Sequence, residues 1–389
     1  MTTKRRSKVE STSGNMENII CNECPNGCNL TLEWEDAENV FIVGNKCASG
    51  IIFTARIIRK DKKARVHAKT KTPLFSKEIL ISVASRWQVC LKKLHYNISI
   101  QGSPERSIFR VVLEDKKGGF FVLEQIPRKV AERKREIAAD LDFLAKNNLA
   151  RIQPYLADAN GNYLIKHKNS FWQMTHFMQG VALDREKYMF EKWRGPALAC
   201  FLIELRRKSK KLPFFDSRQV FSLKNYIYKL IREINLYNKH INSEIRDVAG
   251  FLEKDFMPAY AKMPVAFCHG DYHPLNIIWS ADDIKCIIDW EFCGYKSDIY
   301  DAANLIGCIG VEDPQSLTGE LVKSFIVDIK AAGIISKTSW KYLVEIIAAL
   351  RFAWLSEWLR QKDTEMIALE LDYMRLLIKN KNDLQKAWL

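Results

Sequence analysis

Cys268-His269-Gly270-Asp271-Tyr272-His273-Pro274-Leu275-Asn276 runs directly into an apolar stretch at 277–279, a polar turn Ser280-Ala281-Asp282-Asp283, a second apolar stretch at 284–288, and then Asp289-Trp290-Glu291. Two apolar runs around a short polar turn predict a hairpin, with Asn276 at its entry and Asp289 at its exit lying side by side at the open end. Asp271 precedes them in a tight loop. Two carboxylates and a carboxamide at the mouth of a buried hairpin repel one another or go unsatisfied unless a cation sits between them. Mg2+ suits that donor set: it is a hard ion that takes one or two protein oxygens and completes its shell with phosphate oxygens and water. A third acid is then placed to orient a substrate hydroxyl. The blander reading has these acids cap turns and pair with nearby lysines.

Around this stretch the composition is that of a folded protein. The 389 residues allow two or three domains, and 47% hydrophobic with 27% charged residues is close to the globular average. Low-complexity and collagen-like chains are excluded. The apolar run at 344–350 is far shorter than the ~18 residues of a membrane span, and no apolar segment follows Lys4-Arg5-Arg6, so a cytoplasmic protein without a membrane span is expected. A net charge of +14 favours an anionic partner. The basic clusters at 56–71, 128–135 and 206–211 lack the interleaved aromatics that would stack bases, so nucleic acid is not the expected partner.

The organisation reads as a polar tail over 1–17, a four-cysteine module with a basic linker over 18–75, a strand-rich lobe over 76–180 and a helical lobe over 181–389. In the third segment the pattern predicts a helix at 78–94 and strands at 107–113 and 119–126 around Lys116-Lys117-Gly118. A helix opened by Pro127 follows, carrying Ile137, Leu141 and Leu144 on one face, and then strands at 163–166 and 170–177. Helices are expected at 186–210, 222–254, 314–332, 339–361 and 365–389. The fold class expected is α+β, two lobes with a cleft suited to a small ligand.

His269-Gly270-Asp271, Asn276 and Ile288-Asp289-Trp290-Glu291 resemble the loop motifs of the aminoglycoside phosphotransferase and choline kinase family, with the resemblance extending over about residues 77–389. It implies a protein-kinase-like fold and ATP-dependent transfer of the γ-phosphoryl group to a hydroxyl of a small acceptor. Asp271 would be the catalytic base or hydroxyl-orienting group, Asn276 and Asp289 would hold Mg2+, and His269 and His273 would brace the loop. Asp298 or Asp301 resembles the acidic helix start that follows the metal loop, as a cap or tether. The resemblance also places a phosphate-covering turn at residues 102–107, with Ser103, Arg106 and Ser107 as donors, and a hinge at 173–180, with Met174 and Phe177 beside the adenine.

One position departs from the pattern: Glu124 stands where relatives carry Lys or Arg against the α- and β-phosphates. Glu124 must then turn away, be protonated or metal-bound, or have its missing charge supplied by a neighbour such as Arg106, Arg128 or Lys129. Glu136, placed like the usual acidic partner of that lysine, reads as one of several solvent-facing acids. The alternative is a catalytically weak kinase-like scaffold whose four-cysteine module senses redox state or docks a redox protein.

Cys21-x2-Cys24-x3-Cys28 with Cys47 has ligand-like spacing, and in a reducing compartment the choice is Zn2+ against a [4Fe-4S] cluster. The Cys-Pro-x-Gly-Cys and Gly-Asn-x-Cys pieces resemble a small uncharacterised domain found alongside glycerol-3-phosphate dehydrogenase components and, more distantly, the cluster-binding start of molybdopterin oxidoreductases. Both lean toward iron and sulfur. Cys90, Cys200, Cys268, Cys286, Cys293 and Cys308 show no paired spacing and read as buried apolar fillers.

Overall fold

A computed structural model describes residues 16–20, 29–34, 39–43, 65–68, 75–96, 98, 100, 105–167, 170–212 and 219–388. It comprises two compact units, one of residues 1–101 with 111–117, the other of residues 102–110 with 118–389.

In the first unit, strands Met16–Ile20, Asn29–Trp34, Asn39–Val43 and Arg65–Ala68 form a sheet in chain order, the last pair parallel. Leu30 and Leu32 alternate into its core. Met16 and Glu17 therefore belong to a strand and not to the expected tail. Ile20 pairs with Asn29, the residues that bracket Cys21, Cys24 and Cys28. Those three cysteines and Cys47 lie outside the described residues. The helix expected at 78–94 is Lys77–Ala84 alone, extended by a 3-10 turn at Ser85–Trp87 and ended by Gln88 in a left-handed conformation at φ 60°. Leu91–His95 is instead a strand, whose Lys92 and His95 meet Glu114 at 2.5 and 3.0 Å.

The second unit holds the strands Phe120–Ile126, Ser170–His176 and Ile165–His167, with Glu124 opposite Gln173 and Leu123 opposite Met174. Helix Ala131–Lys146 turns Ile137, Ala138, Leu141 and Leu144 inward, and Asn147 with left-handed Asn148 ends it as expected. Beyond residue 180 helices dominate, shorter than the sequence pattern suggested where a cap intervenes. The stretch at 186–210 becomes a 3-10 turn and the helix Arg194–Lys208, 222–254 breaks at Asn238, and 314–332 breaks at Gly319. Gly195 lets Arg194–Lys208 approach helix Glu320–Ala332 closely, since a Cβ there would stand 2.4 Å from Leu321 O. Ile306, Ile309, Val322, Phe325, Ile346 and Phe352 form the centre of this core. Cys268, Cys286 and Cys293 are buried as expected, whereas Cys90 and Cys200 are exposed. Among the described residues no helix is long and apolar enough to cross a membrane.

Two small antiparallel ladders rise from that core and carry the acidic loops. Val265–Cys268 pairs with Gly294–Ser297, and Ile277–Trp279 pairs with Ile284–Ile287, with a bulge at Ile278/Trp279. The hairpin is the one the sequence predicts.

Candidate active site

The loop after Cys268 is fixed from below by one carboxylate. Asp301, in the first turn of helix Tyr300–Glu312, is 2% exposed. It accepts hydrogen bonds from the backbone N–H of His269 at 2.7 Å and of Gly270 at 2.8 Å. Buried charge-assisted bonds of this kind are among the stronger ones available to a protein. Gly270 adopts φ +85°, and a Cβ there would lie 2.1 Å from Phe292 O, so glycine alone fits between the two loops. Asn304 adds a bond from its Nδ2 to Tyr272 O at 3.2 Å.

His269 is fully buried and neutral. Its Nδ1 accepts from the Asp271 N–H at 3.2 Å and its Nε2 lies 3.0 Å from Ile288 O, which assigns the proton to Nε2. Burial pulls this imidazole below its usual range of about 6.5, against the opposing charges of Asp301 and Asp271. The unfolded chain therefore takes up a proton below about pH 6.5 that the folded protein refuses, so stability should fall as pH drops through that value. Thermal midpoints recorded at falling pH check this, with His269→Gln giving a shallower decline than the parent.

Asp271 lies on the surface of this frame with its side chain 20% exposed. Burial alone would raise its carboxyl, but His273 and the Asn276 amide hold it below the ordinary carboxylate range. His273 Nε2 stands 3.6 Å from Oδ1. Asn276 Nδ2 donates to Asp271 O at 2.9 Å and to Oδ2 at 3.0 Å. Asn276 thereby commits its nitrogen to Asp271 and leaves its side-chain oxygen as an acceptor.

The hairpin register brings Asp289 alongside. Ile288 N donates to Asn276 O at 2.9 Å, and Asp289 then turns out of the strand at φ 61°, ψ 62°. Its exposed carboxylate has no hydrogen-bond partner among the described residues. An Asn oxygen and an Asp carboxylate, both open, fit a hard divalent cation that keeps water and phosphate as its other ligands. They do not fit a protein-enclosed zinc site, and no group of three His, Cys, Asp or Glu side chains suited to a metal occurs among the described residues.

Beside Asp289 lies a compact ionic cluster. Glu124, 5% exposed, accepts from Arg110 Nε at 2.6 Å and from Gln173 Nε2 at 2.5 Å. Burial would raise the Glu124 carboxyl, yet Lys134 and Arg110 carry it below its usual range, so it is ionised. Of the alternatives raised by the sequence, Glu124 is engaged within the protein, and the neighbouring cations are Arg110 and Lys134. Lys134 is wholly buried and pairs with Glu291. The phenol of Tyr155 is pushed well up by burial and then by the negative charges of Glu124, Glu291 and Asp289, against the opposing charge of Arg110.

Arg106 lies with its guanidinium 4.9 Å from the centre of the Phe292 ring, next to the Asp289 turn, and its Nη1 is buried with no hydrogen-bond partner among the described residues. Ser107 is buried, while Ser103 falls outside the described residues. Met174 is fully buried with its carbonyl taken by Leu156 N at 2.8 Å, and the Phe177 N–H is taken by Phe120 O at 2.8 Å. These two backbone groups are therefore spent within the chain, and the half-buried Phe177 side chain is what remains for a ring to contact. Glu136 is exposed and pairs with Arg133 at 3.0 Å, as expected of a solvent-facing acid. Trp354 stands 6.3 Å from the His273 ring and beneath it Arg351 pairs with Glu370 inside the helical core.

Arg110 and Lys134 are the residues that sequence reasoning missed. A signal for Lys134 was present: residues 131, 134, 138 and 141 share one buried helix face, and a lysine among Ala131, Ala138 and Leu141 has to be held by an acid. Arg110 carried no such mark, because its meeting with Glu124 depends on strand register.

The model of the phosphotransferase enzyme family, APH, matches residues 100–333. Similar solved structures include an aminoglycoside phosphotransferase from Alicyclobacillus acidocaldarius subsp. acidocaldarius DSM 446, 14% identical, covering 82% of this chain and 96% of that one with a TM-score of 0.53. An amicoumacin kinase in complex with AMP-PNP, Ca2+ and Ami is 13% identical, covering 80% and 94% with a TM-score of 0.56. The macrolide 2'-phosphotransferase of Brachybacterium faecium is 13% identical, covering 76% and 98% with a TM-score of 0.54. These likenesses establish the kinase-like fold of the chain. Among curated proteins no sequence matches it.

Proposed function

We propose, from the premise that this chain belongs to the phosphotransferase enzyme family, that it transfers the γ-phosphoryl group of ATP to a hydroxyl of a small molecule. The observation that carries this reading is the clamped Asp271 beside two open oxygen ligands, Asn276 and Asp289. Asp271, ionised and fixed by Asn276 and the loop histidines, accepts the hydrogen of the acceptor hydroxyl and aims its oxygen in line with the γ-phosphorus. Its lowered basicity suits orientation, with the proton passing to Asp271 as the new O–P bond forms and the bond to the β-phosphate bridge breaks to release ADP. Mg2+ held by Asn276 and Asp289 would neutralise charge on the donor phosphates. Arg106, Ser107, Ser103 and the Phe177 ring are the proposed contacts to the rest of the nucleotide. AMP-PNP and Ca2+ in the amicoumacin kinase support an adenine nucleotide with a divalent ion.

The acceptor is proposed to be a small hydroxylated compound bound on the Trp354 and His273 side of Asp271. Turnover of ATP against a panel of amino alcohols, sugars and hydroxy amino acids tests the reading, and failure of the parent protein to bind any Mg-nucleotide would sink it. A thiolate metal site at Cys21, Cys24, Cys28 and Cys47 is proposed on their ligand-like spacing alone, and iron and zinc analysis of the anaerobically purified full chain decides it.

A further inference from the structure

We propose that a cavity at the C-terminal ends of helices Arg194–Lys208 and Glu320–Ala332 binds a small molecule carrying a phosphate monoester. The cavity has a volume of about 460 Å3, within the usual range of a small-ligand site. Arg206, Arg207, Ser209 and Lys210 line it together with apolar residues that include Val265 and Ile334. The basic cluster at 206–211, which phosphoryl transfer leaves without a task, thus comes to line a cavity. None of these residues is among the contacts assigned to the nucleotide or the acceptor, so this site stands independently of that reading.

Arg206 donates from Nη2 to Asp298 O at 2.7 Å, while its Nη1 is buried with no hydrogen-bond partner among the described residues. A buried guanidinium nitrogen without an acceptor is costly, and an oxyanion in the cavity supplies one. Arg207 and Lys210 are exposed, so these cations can be reached from water, and neither pairs with an acid among the described residues. Asp298 is the only acid among the lining residues, and its carboxylate is turned to Ser336 N at 2.7 Å and Ser339 Oγ at 2.5 Å. Cations in a last helical turn ordinarily complement the carbonyls there, but two helix ends amount to about one negative charge. Three cations outweigh that charge and the Asp298 carboxylate together, and Lys208 and Lys211 flank them in the chain. Three cationic side chains around one cavity suit a group with three terminal oxygens better than a planar carboxylate with two.

Calorimetric titration of the full chain at low ionic strength with phenyl phosphate, benzoate and phenol tests this. The parent should bind one phenyl phosphate per chain, benzoate more weakly, and phenol not at all. The double variant Arg207→Gln, Lys210→Gln removes two exposed charges that make no ion pair among the described residues, and should weaken phenyl phosphate by about tenfold or more. Arg206→Gln should do the same, with its folding checked by thermal melting because this arginine also holds Asp298 O. Asp289→Asn, at the proposed Mg2+ site, should leave the affinity for phenyl phosphate unchanged. Equal affinity of the parent and the double variant overturns the site, as does a parent that shows no saturable binding. Affinity lost in Asp289→Asn but kept in the double variant puts the phosphate at the Mg2+ site and overturns it as well. Benzoate bound as tightly as phenyl phosphate overturns the ligand class.

Discussion

Asp271→Asn is expected to reduce phosphoryl transfer by ~10²- to 10⁴-fold, the usual contribution of a positioned acid-base group, while Mg-nucleotide binding stays within a few-fold of the parent. The substitution is nearly isosteric, but a carboxamide cannot accept the hydroxyl proton. Asn276 Nδ2 would also meet a side chain that is half donor in place of the Oδ2 it now reaches at 3.0 Å. Rapid-quench measurement of ADP formation, beside a titration of the nucleotide, separates the two effects. An unchanged rate would remove Asp271 from the chemistry. A lost affinity with an intact rate would move it to binding.

Asp301→Ala should be the most damaging single change in the loop frame. Its carboxylate satisfies the N–H groups of His269 and Gly270, at 2.7 and 2.8 Å, and both are buried. Leaving two such donors without partners costs about 1–3 kcal/mol each, so a loss of about 2–6 kcal/mol is expected by denaturant titration. Because His269 in turn bonds the Asp271 N–H and Ile288 O, the loosened frame should also lower turnover in whatever protein remains folded. Asp301→Asn keeps one acceptor but turns an N–H2 toward one of the backbone donors, and should fall between the parent and the alanine variant. Equal stability of all three would show that helix Tyr300–Glu312 does not hold the loop.

Much of this arrangement could be read from the chain because each part is local. The hairpin of Ile277–Trp279 with Ile284–Ile287 follows from two apolar runs and a polar turn, and its register places Asn276 next to the residue preceding Asp289 without further information. The tethering role suggested for Asp298 or Asp301 was legible as an acid at a helix start, and the two acids divide that work. Asp301 holds the loop, while Asp298 accepts from Ser336 N at 2.7 Å and Ser339 Oγ at 2.5 Å. What the sequence hid depends on packing between distant segments. Glu124 reads as a liability in isolation, and its partners Arg110 and Gln173 lie 14 and 49 residues away. The helix expected at 78–94 failed for a simpler reason: apolar spacing continued past Gln88, whose left-handed conformation only the folded chain reveals.

The central claim is that Asn276 and Asp289 jointly bind a divalent ion against the donor phosphates while Asp271 faces the acceptor. A crystal structure with Mg2+, a non-hydrolysable ATP analogue and a turned-over acceptor measures this directly. The account predicts Asn276 Oδ1 and an Asp289 carboxylate oxygen at about 2.0–2.1 Å from the ion, with phosphate oxygens completing its shell. A nucleotide bound with its metal held by other residues, or with these two side chains pointing into separate pockets, contradicts it.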